Sequence, residues 1–183
     1  MKEFDKYEKR GAYHYPWYDE NTFHYKDRID KILSYLTYTG SVLDVGSGDG
    51  CVSYHLCKQG HEVVGIDTNK LSIKLANESK LIRSFNATFN ETSIYHINLD
   101  IKYDYVICTD VLEHLVAPQE ALKIMHDVCK DFCIITTPDG SKVKASQYDN
   151  QLWGIKGITK LFKDYEYEYS ILDDTFFIKL IKA

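Results

Sequence analysis

Val42-Leu43-Asp44-Val45-Gly46-Ser47-Gly48-Asp49-Gly50 is the stretch on which the fold turns. A short apolar strand, Ser41 to Val45, runs into glycines at every second position, and a helix is expected from Gly50 to Lys58, closed by Gly60. Glycine lets a backbone bend sharply and lie directly against a ligand, because no Cβ intervenes. Downstream, His61 to Ile66 is a second buried strand followed by Asp67, and a helix is expected from about Lys70 to Ser79. Tyr103 to Thr109 and Phe132 to Thr137 are further strands, and a weaker one is placed at Ser93 to Ile97. Between the two stronger strands, Pro118 opens a helix carrying Leu122, Met125 and Cys129 on one side. Upstream, Ile29, Ile32, Leu33 and Leu36 recur at helical spacing from Tyr25, and Gly40 is expected to end that helix.

Strands alternating with helices of this length predict right-handed βαβ crossovers and a mainly parallel sheet. The ending differs: Tyr165 to Leu172 and Thr175 to Lys182 flank Asp173-Asp174, the pattern of an antiparallel hairpin. The expected fold is therefore α/β: a doubly wound, mainly parallel seven-stranded sheet with a C-terminal antiparallel hairpin, in three α/β/α layers. No internal repeat or low-complexity linker interrupts residues 1–183, which are expected to form one domain. Residues 1–24 form an N-terminal extension crowded with aromatics.

Charge narrows the partners. The 27 acidic against 22 basic side chains leave a net −5, with no basic cluster of the kind that displaces counterions from nucleic acid. Nucleic acid is accordingly disfavoured. Met1 to Arg10 is charged and lacks an apolar segment, so a signal peptide is not expected, and no apolar run approaches the roughly 18 residues of a membrane span. The five cysteines form no CxxC pair and are odd in number, which suits reduced, mostly buried thiols and a cytoplasmic location.

Two ligand classes compete for the glycine turn. A dinucleotide pocket wants GxGxxG, and Cys51 stands where its third glycine belongs. The spacing here is GxGxG, with Asp44 preceding it on the strand. A pyrophosphate sits poorly beside that carboxylate, whereas a cationic amino group sits well. S-adenosylmethionine (SAM), whose methionine part carries an ammonium and a sulfonium, satisfies that preference. Asp67, at the end of the second strand, is placed to accept both hydroxyls of a ribose. Helix capping is the competing use of Asp67, although Thr68 or Asn69 could cap in its stead.

With these residues in view, the chain resembles the class I (Rossmann-like) SAM-dependent methyltransferases. VLDVGSGDG resembles their first motif and VVGIDTN their second. YDYVICTDVLEHL and ITTPDG are similar to the fourth and fifth strands of the branch that includes ubiquinone-biosynthesis, sugar and natural-product O-methyltransferases. The resemblance implies that Asp44, Gly46, Ser47 and Gly48 line the methionine end of SAM, that Asp67 and Thr68 meet the ribose, and that Asp110 lies near the methionine moiety. It also implies an acid or amide after the third strand for the adenine; Asn98 is preferred, with Asp100 as the alternative. Arg28 or Tyr25 could reach the SAM carboxylate, or Arg28 could be a solvated side chain.

Methyl transfer from a sulfonium is an in-line displacement, so aligning the reactants supplies much of the rate. A hydroxyl acceptor also gains from a base, and His114 in Glu113-His114-Leu115 is the candidate. Its rival role is structural, holding a loop, and Glu113 reads as an orienting or structural partner. Asp110-x-x-Glu113-His114 resembles part of the metal site of small-RNA 3′-terminal methyltransferases. The first ligand there is Glu, however, and no histidine follows His126 to complete the set, so no metal is expected. Gly11 to Tyr18 and Ser146 to Trp153 are expected near the mouth of the site, either as lids or as packing; Tyr15, Trp17 and Trp153 are the aromatics singled out. The expected activity is O-methylation of a small molecule or glycan precursor. A protein or RNA methyltransferase, or a SAM-binding protein without transferase activity, are the alternatives, and the glycine spacing argues against an NAD-dependent oxidoreductase.

Overall fold

A computed structural model describes residues 5–182. Two compact units make it up, dividing between Ser93 and Ile94. The first opens with short helices α1 (Lys6–Arg10) and α2 (His14–Asp19) and continues with α3 (Tyr25–Tyr35). It then alternates through β1 (Ser41–Val45), α4 (Cys51–Lys58), β2 (Glu62–Asp67), α5 (Lys70–Arg83) and β3 (Ala87–Glu91). The second unit holds β4 (Tyr103–Thr109), α6 (Pro118–Val128), β5 (Cys129–Pro138), α7 (Ile155–Leu161), β6 (Tyr167–Leu172) and β7 (Thr175–Ile181). The strand order is β3-β2-β1-β4-β5-β7-β6, a seven-stranded mixed sheet. β1, β2 and β3 pair in parallel, as do β4 and β5, while β7 runs antiparallel to both β5 and β6.

Burial explains which strands the sequence announces. Val42, Leu43, Asp44 and Val45 of β1 are all buried, as are Tyr105 to Cys108 of β4, so both strands read as continuous runs. β3 lies at the sheet edge, with Ala87 and Phe89 buried but Thr88, Asn90 and Glu91 exposed. That half-polar alternation masks it. The strand expected at 93–97 is therefore corrected to 87–91, and Ile94–His96 is a 3₁₀ turn.

Other boundaries move for local reasons. α3 stops at Tyr35 because Leu36 is already extended, five residues before the expected Gly40 terminus; Gly40 instead meets His61, its N–H donating to Nδ1 at 3.2 Å. Cys129 is not on the face of α6 but takes extended φ/ψ as the first residue of β5. α5 runs four residues past Ser79, to Arg83. α7, absent from the sequence expectation, buries Ile158 and Leu161. Asp173, at φ 54°, makes the tight turn between the paired Leu172 and Thr175, a left-handed conformation that Asp tolerates.

Gly65 pairs with Phe89 across β2 and β3. A Cβ there would stand 2.6 Å and 2.7 Å from ring atoms of Phe89 and 2.8 Å from Ser47 Cβ. Gly65→Ala is expected to lower stability by about 1–3 kcal/mol, the usual range for overpacking, read from the urea midpoint. An unchanged midpoint would show that Phe89 yields freely.

Candidate functional site

In the first unit the glycine loop leaves β1 with Gly46, Gly48 and Gly50 at φ 71°, 56° and 83°. These left-handed conformations are ones that L side chains adopt only with strain. They aim successive amides inward: Gly46 and Ser47 N–H both donate to Ile66 O, at 2.8 Å and 2.9 Å, and Gly48 N–H donates to Asp67 Oδ2 at 3.0 Å. Asp67 Oδ1 accepts from Asn69 N–H at 2.8 Å. The α5 N-cap is Asn69, whose side chain accepts from Leu71 and Ser72 N–H. Burial raises the Asp67 carboxyl above its ordinary range, opposed by the two amide bonds. Thr68 beside it is exposed.

Asp44 is fully buried. Its Oδ2 accepts from Ser53 Oγ at 2.6 Å, while Oδ1 and the buried Ser47 Oγ have no hydrogen-bond partner. Buried polar atoms are ordinarily paired, so two orphans flanking a glycine cradle fit a bound polar ligand. Burial pushes the Asp44 carboxyl up to about 6; the Ser53 bond opposes this and the Asp67 charge adds to it. An unfolded Asp titrates near 3.9. Between those values the folded chain holds a proton that the unfolded chain has released, so stability falls as pH rises from about 4 through about 6. Asp44→Asn removes that titration. The variant is expected to gain up to about 3 kcal/mol on wild type between pH 4 and pH 8 by denaturant titration. Parallel profiles would refute it.

The N-terminal segment sits on this loop. The Tyr7 hydroxyl sits so close to Gly48 that it leaves no room for a Cβ there. Burial raises that hydroxyl well above its ordinary value, with Asp49, Tyr13 and Asp67 adding. Buried Asp49 ties the segment down: it accepts from His14 N–H at 2.9 Å, and its Oδ1 is 3.1 Å from His14 Nδ1. His14 stacks on Tyr25, and Trp17 packs edge-on against Tyr13, His14 and Phe23. Tyr15 is core packing, with the Arg83 guanidinium 3.9 Å above its ring. Nothing in the linear pattern gives Asp49 a role, because its partner His14 is 35 residues away.

Past β3, the acid at the strand end is Glu91, in register with Asp67, and Thr92 N–H donates to Asp67 O at 3.0 Å. Asn98 lies seven residues further on, exposed, its Oδ1 accepting from Asp100 N–H at 3.0 Å.

In the second unit Asp110 follows β4 at φ 52°. Its N–H reaches Thr136 O and Oγ1, both at 3.1 Å, and the Thr136 hydroxyl donates back to Asp110 Oδ1 at 3.0 Å. A non-glycine residue held left-handed after a central strand is the kind of strain that collects at working sites. Glu113 is buried, accepting from Thr137 Oγ1 at 3.1 Å; burial first, then Asp110, raise its carboxyl well above the usual range. Its carbonyl accepts from Asn150 and Gln151 N–H at 2.9 Å and 3.2 Å. His114 Nδ1 lies 3.1 Å from both Tyr148 O and Asp149 Oδ1, and the Asn150 amide donates to His114 O. Trp153 bridges to Asp139, its carbonyl accepting from Gly140 N–H at 3.0 Å. Asp149 fell within the loop that sequence reasoning placed at the mouth, but nothing in linear spacing marked it. Among the described residues no group of three or more His, Cys, Asp or Glu could hold a metal ion, and no helix is long and apolar enough to cross a membrane.

Residues 37–173 match a family described as a methyltransferase domain. The ubiquinone biosynthesis O-methyltransferase of Rickettsia typhi (strain ATCC VR-144 / Wilmington) is 30% identical over 154 residues, 77% of this chain and 62% of the relative. The enzyme of the same name from Pasteurella multocida (strain Pm70) is 28% identical over 149 residues, 71% of this chain and 60% of its own. The chain thus spans about six-tenths of the length of these curated relatives. Among solved structures, the PH0226 protein from Pyrococcus horikoshii OT3 superposes with a TM-score of 0.76 at 24% identity, covering 92% of this chain and 96% of that one. Magnesium protoporphyrin IX methyltransferase from Synechocystis PCC 6803, solved with bound SAM, gives 0.68 at 17% identity, covering 100% and 99%. These two likenesses establish the fold, and with the family match over three-quarters of its length, this chain belongs to the class I SAM-dependent methyltransferases.

Proposed function

We propose that this chain is a SAM-dependent methyltransferase that methylates an oxygen of a small molecule or glycan precursor. The observation that carries the reading is the left-handed glycine cradle between Asp44 and Asp67, with Asp44 Oδ1 and Ser47 Oγ buried and unpartnered. Asp44, Gly46, Ser47 and Gly48 would hold the methionine end of the cofactor, Asp67 and Thr68 the ribose, and Asp110 would assist near the methionine moiety. When bound, SAM supplies an electrophilic methyl on a sulfonium. The chain's own part is to bind, align and exclude water. Residues 5–24, packed on Gly48 through Tyr7 and on Asp49 through His14, act as a lid. His114 takes the acceptor's proton, and Glu113, whose carboxyl burial pushes well above the usual range, fixes the turn that carries it.

The O-methyltransferase relatives support a hydroxyl acceptor, and the net charge of −5 argues against RNA. The family match crosses the boundary between the two compact units, which supports one catalytic domain. The described cysteines are all free, as suits the cytoplasm. Calorimetry with SAM, S-adenosylhomocysteine and NAD tests the binding: both sulfur nucleosides are expected to bind and NAD is not. Binding of NAD alone would overturn the proposal. Turnover of radiolabelled SAM against catechols, hexoses and bulk RNA then tests the acceptor class, with RNA methylation the result that would redirect it.

A further inference from the structure

We propose that Asp149, acting with the Tyr148 carbonyl, is a positioning residue that holds His114 as its Nδ1–H tautomer, so that Nε2 is the nitrogen that takes up and releases the proton. Two acceptors face Nδ1, each at 3.1 Å: a backbone carbonyl, which has no proton to give, and the carboxylate of Asp149. An imidazole nitrogen between two acceptors carries a hydrogen, and the other nitrogen is then the basic one. Neutral imidazole in water prefers the opposite tautomer, with the hydrogen on Nε2, so the loop imposes a form the side chain does not choose for itself.

The loop is built to hold that geometry. Asp149 is 10% exposed, and its second oxygen accepts from Ser146 N–H. The Asn150 side chain donates to His114 O, while Asn150 and Gln151 N–H both donate to Glu113 O. Residues 146–151 therefore clamp both carbonyls of the Glu113-His114 turn and its imidazole together. Glu113 accepts from Thr137 and Asp110 from Thr136, while Asp149 is a carboxylate placed directly on the ring. When the acceptor hydroxyl passes its proton to Nε2, the positive charge that forms on the ring lies against Asp149.

The inference rests on the proposed methyl transfer for its kinetic readout but not for its spectroscopic one. The long-range ¹H–¹⁵N spectrum of histidine-labelled protein, with the His114 signal assigned by its loss in His114→Gln, reports the tautomer without any substrate. At a pH where the ring is neutral, Nδ1 is expected in the protonated range and Nε2 in the unprotonated range; the reverse would overturn the proposal. Asp149→Ala is expected to shift the ratio toward the solution tautomer by about tenfold, since a charged acceptor is the stronger of the two. An unchanged spectrum would remove Asp149 from the role. Asp149→Asn keeps an acceptor oxygen and the loop contacts. It is expected to retain the wild-type tautomer while kcat on a catechol acceptor falls about tenfold with the KM for SAM unchanged; an unchanged kcat would overturn the charge role. Absence of turnover in wild type would count against the function above and leave the tautomer result standing.

Discussion

Asp67→Ala is expected to weaken SAM binding by about 10²–10⁴-fold. The carboxylate stands at the end of β2, with one oxygen anchored by Gly48 N–H and the other by Asn69 N–H. A carboxylate offers about four acceptor sites, so both oxygens retain capacity for the two ribose hydroxyls. Hydrogen bonds to a charged group contribute about 1.5–3 kcal/mol each. Losing two gives the stated range at about 1.4 kcal/mol per tenfold. Because Asn69 already caps α5, the helix keeps its N-cap in the variant. A thermal melt then separates loss of affinity from loss of fold. Asp67→Asn, which keeps one acceptor oxygen, is expected to fall between wild type and Ala. Calorimetric affinities within threefold of wild type for both variants would end the ribose assignment.

His114→Ala is expected to lower kcat by about 10²–10⁴-fold, the usual contribution of a positioned base, with the KM for SAM changed by less than about threefold. The opposing role is equally concrete, because the same side chain touches Tyr148 O and Asp149 in the loop. A purely structural histidine predicts a different pattern: a lower Tm, a raised KM for the acceptor and a modest change in kcat. Steady-state kinetics with the acceptor class found by turnover, set beside the melt, distinguish the two. Retention of wild-type kcat in a folded variant would remove the base.

β1 and β4 are legible to the residue, because a strand buried on both faces leaves a nearly continuous apolar run, interrupted by Asp44 in β1 and by Asp104 in β4. The glycine loop was legible for a related reason: the left-handed turns at Gly46, Gly48 and Gly50 demand a residue type that shows in the sequence. β3 was misplaced because an edge strand needs only Ala87 and Phe89 to be apolar. α7 escapes the sequence reading because its seven residues contain Gly157 and Thr159 and offer only Ile155, Ile158 and Leu161 as apolar positions, too short a run to establish a period. A third strand placed at 93–97 makes Asn98 the first amide after it, whereas β3 ends at Glu91. His14 with Asp49, and His114 with Asp149, could not be paired from spacing at all. Each pair joins residues 35 apart, brought together only when loops fold back on the sheet.

The aromatic segment over the glycine loop also makes the molecule self-reporting. Trp17 is one of two indoles in the chain, and it lies against Tyr13, the His14 imidazole and Phe23. Its fluorescence therefore depends on His14, the side chain that pins the segment to Asp49. With Trp153 replaced by Phe, the remaining indole reports on that segment alone, and a stopped-flow trace of its emission on mixing with SAM tests, without any label, whether the segment moves.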